Sequence, residues 1–323
     1  MFGVFENFIH RFDFVFKRIF YSGRIYHMAI AINGLSLGAI YALIALGYTM
    51  VYGIAKMLNF AHGDVIMVGA YVIYTMCTFT WNLGSMPIWL SSLISFLVAV
   101  CVCTVLGIVI EKVAYKPLRG ASPLAALITA IGVSYLLQGI AQLIWGADQR
   151  TISILDRLGT VNIGDVVIKW SAIITVVVGA IIMVCLVLFI KKTRTGRAML
   201  AVSEDKGAAQ MMGVNVNAIV SITFAIGSGL ATFASLFYLP ITSVSPTLGA
   251  MPGIKAFAAA VIGGIGSIPG AMLGGVLLGV VEVVCNSISA IASYTTAIEF
   301  ALLIVILLVR PIGLLGKKRR IKV

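Results

Sequence analysis

Charged residues are scarce in this chain. They make up 11% of its 323 residues, whereas roughly a quarter of an ordinary soluble domain is charged. Hydrophobic residues reach 61%, and apolar runs of about 20 residues, long enough to cross a bilayer as helices, recur along the sequence. This composition excludes an ordinary soluble domain and predicts an all-α, polytopic integral membrane protein.

The signatures of ATPases and of metalloproteins are also missing. The phosphate-binding pattern G-x-x-x-x-G-K-[ST] does not occur, so we expect no ATP hydrolysis by the chain itself, no catalytic residue and no cofactor. The cysteines fall inside apolar runs, where cysteine behaves as a small hydrophobe, which predicts neither a disulfide frame nor a metal site. They are Cys77, Cys101, Cys103, Cys185 and Cys285.

The apolar runs predict roughly eight membrane-spanning helices. These lie near Met28–Tyr52, Val65–Thr80, Ile88–Ile110, Leu124–Ile144, Trp170–Ile190, Ala218–Leu239, Ala271–Val284 and Thr295–Val309. We expect residues 28–310 to form one transmembrane domain with short broken segments and a weak internal repeat of two halves. An interfacial amphipathic segment, 1–27, precedes it and a basic tail, 311–323, follows it.

The net charge of +12 is distributed as membrane orientation requires, and we expect no nucleic-acid partner. Basic residues concentrate in three segments that are predicted to face the cytoplasm. They are Lys112, Lys116 and Arg119; Lys191, Lys192, Arg194 and Arg197; and the tail from Arg310 to Lys322. Loops 146–169 and 240–252 are predicted outside, so residues 253–292 must cross the membrane an even number of times. Two arrangements satisfy this requirement. Either two helices are joined at 263–270, or a short re-entrant segment returns to its own side and is followed by a pair of helices that cross in and out.

Two regions break the hydrophobic pattern at membrane depth, 53–64 and 253–257 followed by 263–270. Irregular backbone there must be buried in protein or line a wet cavity, and one break per half is typical of a repeated transporter whose route lies near the breaks. The alternative is that both are ordinary interfacial loops. The predicted path residues are Asn59, His62, Asp64, Lys255, Gly264 and Ser267.

Two further sets of residues stand out. Residues 59–64 offer one histidine and one carboxylate, which are too few ligands for zinc, so no metal site is predicted. Glu282 and Glu299 are candidates for buried partners or for groups near the membrane interface. Glycines spaced by four predict close approach of helices. They are Gly34, Gly38, Gly266, Gly270, Gly274, Gly275 and Gly279.

The charged island 191–217, between two apolar runs, is predicted to be a docking element on the aqueous side. Acidic residues favour the start of a short helix, small and sulfur-containing residues give it an apolar face, and a glycine ends it. The methionines contact either a partner's groove or the protein's own membrane end. The predicted coupling residues are Glu204, Asp205, Ala208, Ala209, Met211, Met212 and Gly213.

Four segments, 33–53, 59–64, 197–213 and 255–271, together resemble the permease subunit of bacterial ATP-binding-cassette importers for branched-chain amino acids, the LivH type. The wider family includes urea and amide permeases. Ala208, Ala209 and Gly213 match the family's coupling motif, EAA followed by three residues and Gly, but Gly207 stands where Glu is expected.

This resemblance implies import by alternating access across the bacterial inner membrane. The implied partners are two ATPase subunits, a second related permease chain, with a different chain favoured over an identical one, and an external solute-binding protein. Two alternatives stay open from the residues alone. Asp64, Glu282 and Glu299 fit an ion- or proton-coupled secondary transporter, and the glycine-rich helices fit a scaffold without a path.

Overall fold

The computed structural model describes residues 24–82, 87–152, 154–155, 159–163 and 166–316. The predicted interfacial segment, except its last four residues, and the basic tail from Lys317 onward lie outside them. The described helices are α1 Arg24–Ala55, α2 His62–Asn82, α3 Ile88–Ile110, α4 Pro123–Trp145, α5 Trp170–Lys192, α6 Arg194–Glu204, α7 Lys206–Met211, α8 Val216–Tyr238, α9 Ala250–Gly263, α10 Ile268–Ser287 and α11 Thr295–Val309.

Eight of the described helical segments are long and apolar enough to cross a membrane, which confirms the predicted polytopic all-α fold. Helix α9, with 14 residues, is shorter than a span. Helix α3 continues into a π-helical turn, Glu111–Tyr115, and a 3-10 turn, Lys116–Leu118. The sequence prediction omitted a short β-hairpin, Thr160–Ile163 with Val166–Lys169, because four-residue strands in a polar loop carry too little hydrophobic pattern to be recognised.

Helix α1 lies at the centre of the bundle, with the side chains of residues 40–46 at most 1% exposed. It packs antiparallel to α10, since Gly34 faces Val280 and Gly38 faces Val276. A Cβ on Gly279 would lie 2.2 Å from the Gly38 nitrogen. Only glycine fits where two helix backbones come this close.

We call the end of the bundle where α1 ends and α8 begins the basic end. A cleft there is lined by Ala55 of α1, Arg119 and Lys206 together with the start of α8, and Gly53 lies next to Gly266 of the α9–α10 turn. Residues 314 and 315, after α11, donate backbone hydrogen bonds to the carbonyls of Ile262 and Gly263. The ends of α1, α3, α9 and α11 therefore meet at the basic end.

Helices α2 and α9 both begin inside the bundle. His62, at the start of α2, lies against Gly47, which is eight residues or about 12 Å before the end of α1. Gly63 of α2 contacts Gly249 and Gly253 at the start of α9 so closely that a Cβ on Gly63 would lie 2.4 Å from the Gly249 oxygen. The two helices thus meet head to head at membrane depth.

The order of elements in the first half recurs with inverted direction in the second half. Helices α1 and α8 are full spans, each is followed by an irregular stretch, and α2 and α9 then start at membrane depth and run to opposite ends of the bundle. An inverted repeat of this kind is typical of transporters and agrees with the predicted repeat of two halves.

The positions of the breaks differ from those predicted. The first break is confined to residues 56–61, because α1 continues through Gly53. The second predicted break, 253–257, is wrong, because these residues lie within α9 and the irregular stretch is 239–249. Pro252 does not interrupt α9, since the first turn of a helix has no intrahelical acceptor for its N–H groups. Helices α9 and α10 are joined at 264–267, as one of the two predicted arrangements requires.

Candidate functional site: an exposed helix at the basic end and the polar contacts behind it

Helix α6 is held against the basic end by one apolar face. Thr193 caps it by accepting a hydrogen bond from the Gly196 N–H at 3.0 Å. Gly196, Met199 and Val202 form its buried side, and a Cβ on Gly196 would lie 2.4 Å from the Ile190 Cα. The charged residues of the island therefore face outward from a helix that is fixed to α5.

Helix α7 has well-defined signals at both ends. The Asp205 carboxylate accepts a hydrogen bond from the Ala208 N–H at 3.0 Å, which makes Asp205 the N-cap. At the other end, Gly213 has a φ of 83°, and the N–H groups of Gly213 and Val214 bond to the carbonyls of Gln210 and Ala209. This pattern is a Schellman motif, in which glycine at the left-handed position closes the helix.

The exposed side of α7 carries two large apolar side chains. Met211 is 91% exposed and Met212 is 84% exposed, whereas Ala209 is buried against the bundle and Ala208 is exposed. Neither methionine therefore packs against the described part of its own chain. Glu204 was predicted at the start of the docking helix but is the last residue of α6, because the chain turns at Asp205.

A network of polar contacts connects α7 to the membrane helices. The Lys206 ammonium donates a 3.0 Å hydrogen bond to the carbonyl of Ala55, the last residue of α1. Burial and the nearby Arg119 guanidinium lower the pKa of Lys206. An open cleft of about 440 Å³ separates α7 from the start of α8. Lys206 therefore links α7 directly to the end of α1.

The wall of this cleft is fixed by a carboxylate that sequence reasoning missed. Glu111 is fully buried, accepts a 2.6 Å hydrogen bond from Ser221 of α8 and pairs with Arg119, which also bonds to Asn217. The available signal was a carboxylate directly after an apolar run with an arginine eight residues later. This pair ties the turn after α3 to the first turns of α8.

A second polar cluster lies inside the membrane helices. The Lys255 ammonium of α9 lies 2.7 Å from Glu282 Oε1 of α10 and 3.2 Å from Glu299 Oε2 of α11. The Tyr41 hydroxyl of α1 donates to Glu282 Oε2 at 2.6 Å. Glu282 and Glu299 are thus partners of one lysine, and Glu299 is buried whereas Glu282 is partly exposed.

The residues predicted to line a path do not form one site. Asn59, His62 and Asp64 are at most 4% exposed and lie near the head-to-head contact of α2 and α9. Asn59 accepts a 2.9 Å hydrogen bond from Tyr115, and Asp64 accepts one of 2.9 Å from Gln138 of α4. His62 packs edge-on against Tyr48.

The other predicted path residues lie elsewhere. Lys255 belongs to the cluster with the two glutamates, whereas Gly264 and Ser267 lie in the turn at the basic end. Gly264 has a φ of 103°, and Ser267 caps α10 by accepting a hydrogen bond from the Gly270 N–H. Within the described ranges, no group of three or more His, Cys, Asp or Glu residues is placed to hold a metal ion.

Six of the seven glycines predicted to pack lie at close backbone approaches. Gly275 faces Ala42, Gly274 faces the Ala259 carbonyl and Gly270 faces the Gly263 carbonyl, while Gly34, Gly38 and Gly279 line the contact of α1 with α10. Gly266 differs, because a Cβ there would meet nothing within 4 Å and its φ is 92°. Glycine is required at Gly266 by the turn and not by helix packing.

The sequence also contains one match to a catalytic motif that sequence reasoning overlooked, and the fold shows whether it can act as one. Gly34, Ser36 and Gly38 match the G-x-S-x-G pattern of a nucleophile elbow. That pattern requires a sharp strand-to-helix turn that exposes the serine. Here it lies within the continuous helix α1, where Ser36 is buried, so the match carries no catalytic meaning.

Comparison with known proteins assigns the chain to a family. Residues 30–307 match the family model described as branched-chain amino acid transport system, permease component. The chain is 43% identical to the high-affinity branched-chain amino acid transport system permease protein BraD of Pseudomonas aeruginosa, covering 91% of this chain and 97% of BraD. It is 40% identical to LivH of Escherichia coli over 91% and 96% of the two chains, and 25% identical to the ribose import permease protein RbsC of Haemophilus influenzae over 85% and 82%. The chain belongs to the family of branched-chain amino acid transport system permease components.

Proposed function

We propose that this chain is the membrane-spanning subunit of an ATP-driven importer for branched-chain amino acids in a bacterial inner membrane. The observation that carries the proposal is the match, over 91% of the chain, to permeases of high-affinity branched-chain amino acid transport systems. The basic end faces the cytoplasm, in keeping with the excess of Lys and Arg in its loops. The C-terminus lies on the same side.

In this proposal α7 is the docking helix for the ATPase subunits. Two exposed methionines on a capped helix outside the membrane-spanning segments suit an irregular hydrophobic groove, because unbranched thioether side chains adapt to it. The partners are two ATPase subunits, a second permease chain that is related but different, and an external binding protein that delivers the solute. Residues 28–310 act as one domain, with 191–217 as its coupling loop.

The structure supports a route for coupling between the ATPase and the path. Movement of α7 shifts Lys206 and the end of α1, while the Glu111–Arg119 pair carries the start of α8 along. Helices α1 and α8 lead to the two irregular stretches beside the head-to-head contact of α2 and α9. Alternating access then consists of rocking one inverted half against the other.

A reconstitution experiment tests the proposal against its main alternative. The buried Lys255–Glu282–Glu299 cluster favours an ion-coupled secondary transporter as second candidate. We expect leucine uptake into vesicles containing both permeases, the ATPases and the binding protein to require ATP and to survive a protonophore. Uptake without ATPase subunits, or uptake abolished by the protonophore at constant ATP, contradicts the proposal.

Replacing Met211 and Met212 together by aspartate is expected to lower ATP-driven uptake by at least about tenfold, the equivalent of about 1.4 kcal/mol of docking energy. The folded state should be unaffected, because both side chains are exposed in the chain. The matched control, leucine at both positions, keeps the apolar contact and should transport normally. Normal uptake by the aspartate variant removes α7 from the coupling interface.

A further inference from the structure

The outer face of α4 differs from the outer faces of the other peripheral helices. On α3, α5 and α11, leaving out the first and last turns, the exposed side chains are aliphatic or cysteine, for example Leu97, Val177 and Val305. Apolar faces of this kind can contact lipid chains without leaving a polar group unpaired. Helix α4 instead exposes Tyr135, which is 70% exposed at the middle of the helix, and Gln142 about one turn before its end.

The same face of α4 is open to close approach by another helix. Gly132 and Gly139 both lie on it, and a Cβ on either would meet nothing within 4 Å in this chain. The exposed residues 128, 132, 135, 139 and 142 follow spacings of four, three, four and three. That spacing forms the seam by which one helix packs along another in a left-handed pair.

Contact with lipid chains would be unfavourable for this seam. Hydroxyl and amide groups in hydrocarbon lack hydrogen-bond partners, and glycines in membrane helices permit backbone contact that lipid chains do not exploit. We propose that the α4 seam, Ile128, Gly132, Tyr135, Gly139 and Gln142, is the surface that packs against a membrane helix of the second permease chain. This inference rests on the proposed function and locates one of its partners.

Such an interface also places the polar contacts of α4 beside the path between the permeases. Gln138, on the flank of the seam, donates to the buried Asp64 carboxylate of α2 at 2.9 Å. A shift of α4 driven by the second permease would therefore act on the start of α2, where it meets α9. This hydrogen bond links the flank of the seam to the head-to-head contact.

A matched pair of glycine and alanine replacements tests the seam. A Cβ on Gly139 would meet no atom of its own chain within 4 Å, so for Gly139→Leu we expect normal yield and normal thermal unfolding of the isolated chain. Co-purification of the second permease and ATP-driven uptake should both fall by at least about tenfold. Ala301→Leu, on the exposed side of α11, should change neither. Assembly and uptake that survive Gly139→Leu overturn the inference.

A photo-crosslinking amino acid gives a second test that does not depend on how Gly139→Leu folds. At Leu136, 61% exposed beside the seam, it should form an adduct with the second permease in transporting membranes, whereas at Val305, 54% exposed on α11, it should react with lipid. Lipid adducts alone, or an adduct with a protein of another class, at Leu136 overturn the seam. If ATP-driven uptake is normal in the same membranes, the proposed function stands while the seam fails.

Discussion

Lys255→Met is expected to destabilise the folded chain by about 3–5 kcal/mol, the range seen when one partner of a buried ion pair is removed. The loss leaves the carboxylates of Glu282 and Glu299 facing each other without a cation, and Glu299 is only 1% exposed. Because these three residues come from α9, α10 and α11, we expect α11 to detach first. The measurement is thermal unfolding of the purified protein in detergent, followed by size-exclusion recovery.

Two controls separate lost charge balance from lost packing. The triple variant Lys255→Met, Glu282→Gln and Glu299→Gln removes all three charges and should recover most of the stability, since no unpaired charge is left buried. Lys112→Met, at an exposed lysine, should change stability by less than about 0.5 kcal/mol. A Lys255→Met protein that unfolds like the wild type shows that the cluster does not hold α11.

Gly279→Ala is the second change with a large expected effect. Its Cβ would lie 2.2 Å from the Gly38 nitrogen and 2.3 Å from the Gly38 Cα, so α1 and α10 would have to separate along their main contact. Overpacking of this kind costs about 1–3 kcal/mol and occasionally more. We expect a value at the upper end, because both clashing atoms belong to backbone and cannot rotate away.

The matched control for Gly279→Ala is Gly229→Ala in α8. Its Cβ would meet only the Thr104 hydroxyl at 3.7 Å, an ordinary contact. Alanine is the better helix former by up to about 1 kcal/mol, so this variant should be as stable as the wild type or slightly more stable. Equal unfolding temperatures for the two alanine variants would contradict the packing of α1 on α10.

Much of the fold follows from local sequence. The eight spans could be predicted because bilayer thickness fixes the length of each apolar run. Asp205 and Gly213 marked the ends of α7 because capping depends on neighbouring backbone groups alone. Predictions that depended on one stretch of chain and one simple environment therefore agree with the structure.

Features that depend on partners distant in sequence could not be predicted. Lys255 pairs with Glu282 and Glu299, which lie 27 and 44 residues away, whereas its predicted place along a path stays a prediction. The break near 253 was misplaced because Gly253 looks like a helix breaker, whereas it is required for contact with Gly63 of another helix. Glu111 was missed because its partners Arg119 and Ser221 come from two different elements.

The central claim is that an external ATPase engages α7, and protection of a single thiol measures this most directly. Met212→Cys, at a position that is 84% exposed, is labelled with a membrane-permeant maleimide in inverted vesicles after replacement of the native cysteines, with Tyr294→Cys at the opposite end of the bundle as control. The account predicts that assembled ATPase subunits slow labelling at 212 by at least about tenfold and leave 294 unchanged. Equal labelling rates at 212 with and without the ATPases, in vesicles that transport leucine, would contradict it.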